Sequence, residues 1–309
     1  MHISHITYAL SKNKLSLQDI AALNQISHSE AIVYQKIMGL NTVPRDKQST
    51  VYDQLSSVIK KFLYETKIDV NEVKYILFAH TSEYIAPFSR SVLQELVNLY
   101  LFNQAIAFGL TINKCASAFQ LLNIASHFFE DLSVSEKILI WIADIAFTKT
   151  LSSINGTTVL GDAASVVLLQ KQDHDNRFID CLITVDDRFA SGTYADLQEF
   201  TLFKFLYPSA LSELIIEILE KNHVILTQIK YIFPNNVNTL SWRLVAEKLH
   251  FPLEKIYLKN IARTAHCFGS DPFINLQDAI DSHELNKGDF YLLVTAGLGA
   301  TFAAILLQY

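Results

Sequence analysis

The chain has 309 residues, half of them hydrophobic, 18% charged, with a formal net charge of −6. That is ample for a large buried core and more than one minimal domain needs. No basic stripe accompanies the acidic balance, so nucleic acid is excluded as an expected partner, and any phosphate-bearing ligand must be met by a few local basic residues. Cys115, Cys181 and Cys267 form neither a disulfide framework nor a CxxC pair for zinc, which fits a reducing cytosol.

Met1 to Leu15 has no charged segment followed by an apolar core, so no signal peptide is expected. Glu72 to Ala79 reads as a short apolar strand, and Ala105 to Ile112 as another. Ala116 to Leu132 reads as a helix, because Phe119, Leu122, Ala125 and Phe129 fall near one face. Cys115 therefore sits at a strand-to-helix turn. Lys137 to Ala143 is a continuous apolar strand, and Gln228 to Asn235 repeats the pattern of 72–79. Leu240 to Leu249 reads as a helix with Pro252 in its exit turn, and Leu276 to Ile280 as part of a helix after Pro272. Phe290 to Tyr309 is uncharged and of membrane-spanning length. Gly297 and Gly299 split it, however, and two buried strands joined by a tight turn are the preferred reading, with no membrane as partner.

Two pairs of segments echo each other: 72–79 with 228–235, and 137–143 with 290–296. Together they suggest two similar α/β halves, 1–172 and 173–309. Apolar strands alternating with amphipathic helices indicate a sheet covered on both faces.

A thiol at a helix start faces unpaired backbone N–H groups and the positive end of the dipole, both of which favour the nucleophilic thiolate. The small residues of Cys115-Ala116-Ser117-Ala118 suit such a turn. A buried structural cysteine is the alternative. His2, His5, His28, His127, His174, His223, His250 and His283 show no metal-ligand spacing, and no metal is expected; they read as surface or packing residues.

Lys114-Cys115-Ala116-Ser117-Ala118-Phe119 resembles the nucleophile motif of the β-ketoacyl-ACP synthase III enzymes of the thiolase superfamily. Further segments follow in that family's order: Gly39-Leu40 with Arg45, Leu160-Gly161-Asp162-Ala163-Ala164, Pro234-Asn235-Asn236-Val237-Asn238, Phe251 to Ile256, and Gly297-Leu298-Gly299-Ala300-Thr301. The resemblance spans nearly the whole chain. It implies a thiolase-like fold, two α/β halves in a layered α-β-α-β-α core. It also implies an acyl-Cys115 thioester, and a homodimer formed by the strand before Cys115, with the segment around Phe88 lining the partner's acyl pocket. Arg45 would lie near the pantetheine and nucleotide entrance. The oxyanion hole would be the N–H of Cys115 with a backbone N–H of Gly297, Leu298 or Gly299.

The family's condensing enzymes use Cys, His and Asn, the last two holding the carbonyl of malonyl-ACP during decarboxylation. Here the usual His position is Asn235 and the usual Asn position is His266, with Asp271 five residues later. A carboxylate near an imidazole fixes its tautomer and stabilises the imidazolium. Members with this arrangement resemble acyltransferases of natural-product pathways. The reading is thus an acyltransferase that takes an acyl group from acyl-CoA or acyl carrier protein and passes it from Cys115 to an O, N or S acceptor. CoA or the phosphopantetheine thioester is its substrate, and no cofactor is held permanently. The alternatives are a condensing synthase, an inactive partner subunit of a heterodimer, or a non-catalytic acyl-binding module. Asp271 also suits a helix cap, Asn235 is either an oxyanion donor or a relic, Cys267 reads as structural, and His80 and Glu83 as exposed loop residues or a base.

Overall fold

Runs such as Ile138 to Ala143 and Tyr291 to Ala296 contain almost no polar side chains, so their strands must be covered on both faces. The computed structural model describes residues 1–148, 151–172 and 175–309; His174, read above as a surface or packing residue, lies outside them. Nine strands form one mixed sheet: β1 (His2–Leu10), β2 (Val73–Ala79), β3 (Ile106–Leu110), β4 (Lys137–Asp144), β5 (Ala163–Gln170), β6 (Arg177–Val185), β7 (Ile229–Pro234), β8 (Phe290–Gly297) and β9 (Thr301–Gln308). Their order is β7-β8-β9-β6-β1-β5-β4-β2-β3.

Read outward from the centre, β1-β5-β4-β2 and β6-β9-β8-β7 follow one plan. The pairs β2–β4 and β7–β8 are parallel, and the others in each series antiparallel. The echoed segments take equivalent places, β2 with β7 and β4 with β8. The two series meet at His2 and Arg177. Beyond β2 lies β3; in the matching place beyond β7 there is a lone parallel bridge between Ile232 and Ile256.

Helices cover the faces of the sheet, among them α1 (Val51–Thr66), α2 (Ser117–Phe128), α3 (Leu197–Lys221), α4 (Thr239–Leu249) and α5 (Asp271–Asp281). Alternate side chains of a strand point to opposite faces. In β4, Ile138, Ile140 and Ile142 join α2 and α5 in an inner cluster, while Leu139, Trp141 and Ala143 pack with α1. In β8, Tyr291 and Leu293 face the same inner cluster, and Leu292 and Val294 face α3 and α4. The result is the expected α-β-α-β-α stack of two similar halves, with α2 and α5 as its central layer. Each fully buried side chain of this kind contributes roughly 1.5–3 kcal/mol by leaving water.

Local chemistry sets the helix ends. Thr50 and Asp53 form a capping box that starts α1, and Asn238 accepts from the N–H of Ser241 at 2.7 Å to start α4. The helix after Cys115 is shorter than its apolar spacing suggests. It stops at Phe128, because the chain tightens to i, i+3 bonds from Glu130 to His127 and from Asp131 to Phe128. The uncharged run at 290–309 is two buried strands in antiparallel register, from Phe290 opposite Gln308 to Gly297 opposite Thr301. Among the described residues, no helix is long and apolar enough to cross a membrane.

Candidate active site

Two turns lead into the two central helices, and each carries backbone strain. Before α2, Lys114 has φ +52°, and Cys115 follows within a single 3₁₀ turn, Lys114–Ala116. Before α5, Ala265 has φ 50° and ψ −145°, a region nearly reserved for glycine. His266 comes next. Such strain persists only where the surroundings impose it.

The two turns face each other. Cys115 Sγ lies 3.5 Å from His266 Nε2, although the residues are 151 positions apart. His266 Nδ1 lies 2.5 Å from Asp271 Oδ2. All three are buried. Asp271 opens α5, yet Ser270 is the N-cap and makes no side-chain cap bond. The carboxylate instead accepts from the N–H of Asn236 at 2.6 Å and the N–H of Cys267 at 2.8 Å. Those bonds fix the carboxylate, and the carboxylate fixes the imidazole with Nε2 towards the sulfur. Burial alone favours neutral His266, but the Asp271 carboxylate and the Cys115 sulfur outweigh it and raise the pKa to about 10.

Asn235 directly follows β7, held by a bond from its N–H to the Val294 carbonyl at 3.1 Å. Its carbonyl accepts from Trp242 Nε1 at 2.8 Å, and its side-chain oxygen accepts from the Tyr207 hydroxyl at 3.3 Å. With that oxygen occupied, the amide presents its NH₂ donors as the remaining edge. Cys115, His266, Asn235 and Tyr207 all line one cavity of about 190 Å³, whose wall is otherwise mostly apolar, with Met38, Val237, Leu244 and Leu298. Lys204 also lines it, its ammonium 3.1 Å from the Asn155 carbonyl.

The β8–β9 hairpin closes against the Cys115 turn. A Cβ at Gly297 would fall 2.2 Å from the Asn113 carbonyl oxygen, so only glycine permits this approach. Gly299 has φ +96°, which lets the hairpin reverse, and Leu298 between them reaches the cavity.

Arg45 stands elsewhere. The resemblance implied a place at the nucleotide entrance, but the side chain is buried and does not line the cavity. Its guanidinium donates to Ser152 Oγ at 3.1 Å and the Leu160 carbonyl at 2.9 Å, with Asp162 3.8 Å away. A buried guanidinium must be matched by such partners, and here they tie the 45 and 160 loops together. Glu83 pairs with Lys114 at 3.1 Å, and Cys267 is buried with its sulfur 3.5 Å from the Thr264 carbonyl. Burial pushes the Cys267 thiol well up. Tyr207 and Asn236 escaped the sequence reading. Tyr207 lies inside a 25-residue helix with nothing to mark it, and Asn236 was visible only as part of the segment around Asn235.

The fold is thiolase-like, with two turns facing each other across its centre. Residues 219–309 match the family described as 3-oxoacyl-[acyl-carrier-protein (ACP)] synthase III C terminal. The β-ketoacyl-[acyl-carrier-protein] synthase III of Aquifex aeolicus is 22% identical over 273 residues, 85% of each chain. The crystal structure of the 3-oxoacyl-[acyl-carrier-protein] synthase III from Aquifex aeolicus superposes with a TM-score of 0.85 at 20% identity, covering 100% of this chain and 99% of that one. ChlB3, an acyltransferase, gives 0.86 at 14% identity, covering 99% and 97%. At these identities the structures speak for fold. The chain has a thiolase-like fold and is similar to β-ketoacyl-ACP synthase III enzymes.

Proposed function

We propose that this protein is an acyltransferase in which Cys115 takes an acyl group from acyl-CoA or an acyl carrier protein and passes it to an oxygen, nitrogen or sulfur acceptor. The observation that carries the reading is the line from Asp271 through His266 to the Cys115 sulfur, at 2.5 Å and 3.5 Å. Before loading, the neighbouring sulfur adds to the pull of Asp271 on the His266 proton. Thioester formation removes that contribution and returns the imidazole towards its basic form when the acceptor needs a base. The N–H of Cys115, with backbone N–H groups at Gly297, Leu298 or Gly299, would hold the oxyanion, and the amide of Asn235 supplies a further donor. The apolar cavity suits an acyl or pantetheine chain.

A condensing synthase is the second reading, favoured by Asn235 and His266 lining one cavity: the two residue types of a decarboxylation clamp, in exchanged positions. A homodimer through β3 is supported by exposed Ile106 on that edge strand and by Phe88, which is fully exposed. The division into halves falls between the ends of β5 and β6, at Gln170 and Arg177, and the cytosol suits the free thiols. The test is to supply acyl-CoA together with malonyl-CoA or malonyl-ACP, and separately with alcohols, amines and carrier thiols. Transfer to an acceptor without carbon dioxide release is expected; efficient release with a β-keto product replaces this reading with the condensing one.

A further inference from the structure

His266 is not the only polar group on the nucleophile. Thr81, two residues beyond β2, has its hydroxyl oxygen 3.8 Å from Cys115 Sγ and 3.2 Å from Asp144 Oδ2. The N–H of Thr81 donates to Asp144 Oδ1 at 2.7 Å. Asp144 ends β4 and is 4% exposed. Among the described residues no ion pair involves it, so this is a buried acid held by hydrogen bonds alone. Receiving a backbone N–H and a hydroxyl does not require a carboxylate; an asparagine would accept both. A carboxylate can also take up a proton.

We propose that Thr81 and Asp144 form a second proton path from Cys115, separate from His266. The thiol gives its proton to Thr81 Oγ1 while Thr81 gives its own to Asp144 Oδ2. A thiolate is left on Cys115, a regenerated hydroxyl on Thr81 and a neutral acid on Asp144. Two protons shift in concert, the net transfer is one proton from Cys115 to Asp144, and no other reactant is needed. Thr81 then donates to the thiolate, and Asp144, which does not touch the sulfur, acts as a positioning residue and proton acceptor through it. Burial raises the Asp144 pKa to about 7 against the bonds from Thr81 and Ser82 and the charge of His266, which suits exchange near neutrality. The inference rests on the reading of Cys115 as nucleophile and extends it: deprotonation of the thiol and activation of the acceptor fall to different residues.

The test is the pH–rate profile of Cys115 alkylation by iodoacetamide, followed by intact mass, on the full chain. His266→Ala, Thr81→Val, Thr81→Ser and Asp144→Asn are compared, alone and with His266→Ala. Titratable groups on the neighbouring segments are Cys115, His266, His80, the Lys114–Glu83 pair and Asp162; the His266→Ala background removes the strongest of them. In that background Thr81→Val is expected to slow alkylation at neutral pH about tenfold or more by moving the profile to higher pH, since one such unit of thiol pKa is a factor of ten in thiolate. Thr81→Ser should restore the profile. Asp144→Asn, which keeps an acceptor for the Thr81 N–H, should shift it in the same direction as Thr81→Val and serves if the valine variant does not fold. Profiles unmoved by either Thr81→Val or Asp144→Asn overturn the path. Acyl adducts from acyl-CoA and from acyl carrier protein, measured in parallel, separate this failure from that of the nucleophile reading: an intact protein that alkylates at Cys115 but gains no acyl mass there from either donor defeats the reading, whatever the profiles show.

Discussion

The turns entering α2 and α5 share a position in the two halves and share strain, at Lys114 and at Ala265, but their surroundings are opposite. Cys115 packs with Ala146, Leu160 and Phe268, and among the described residues its sulfur has two polar side-chain partners, His266 and Thr81. His266 is backed by a dense polar array. Asp271 is held by Asn236, Asn236 is bonded to Asn275 at 2.9 Å, and Asn275 is bonded to Asn260 at 2.9 Å. The contrast fits the proposed roles: a nucleophile must leave its resting partners to attack, so few bonds should hold it, and a base must keep one tautomer and one direction through a whole cycle, so many bonds should stand behind it.

Substitutions on the two turns should separate those tasks. Cys115→Ala is expected to abolish the acyl-enzyme while leaving the fold intact, because its turn carries little structural bonding; acyl mass persisting on the same peptide would break the comparison at its root. His266→Ala should slow transfer to the acceptor by roughly 10²–10⁴-fold, the range of a lost general base, and slow loading of Cys115 much less. Single-turnover mass measurements of loading and discharge distinguish the two steps. Asp271→Ala should act in the same direction on transfer with a smaller kinetic loss. It also removes the acceptor for the N–H groups of Asn236 and Cys267, so stability should fall by roughly 1–3 kcal/mol. Thermal unfolding compared with Cys115→Ala checks this, and equal stabilities would contradict the contrast between a sparse and a braced turn. Tyr207→Phe should give the smallest effect. Losing one neutral hydrogen bond to Asn235, worth about 0.5–1.5 kcal/mol, corresponds to roughly a 2- to 12-fold fall in transfer.

Much of this was legible in the chain. Strands β4, β8 and β9 announce themselves as apolar runs, and the echo between 72–79 and 228–235 foretells the repeated strand order. Cys115 stands out because a thiol at a strand-to-helix turn is chemically unusual. His266 and Asp271 followed from order and spacing within the resemblance, but Asp271 looked equally suited to capping, and only the positions of Asn236 and Cys267 decide between the two. Arg45 was placed at the entrance because order along a chain does not say whether a loop residue points outward or into its own loop. Thr81, Asp144 and Tyr207 were silent for a common reason. Each is an ordinary residue at its own place, and its meaning comes from a contact made 28 to 63 residues away.

The hairpin that presses Gly297 onto Asn113 also sets a timetable. Synthesis runs from the first residue onward, so the ribosome releases Cys115 and the whole β1-β5-β4-β2 series well before β8 and β9 emerge. Until those two strands insert between β7 and β6, the wall of the cavity at Leu298 is absent and the inner cluster lacks Tyr291, Leu293, Ala303 and Ile305. A nascent chain therefore carries Cys115 without its chamber until the late hairpin has closed it.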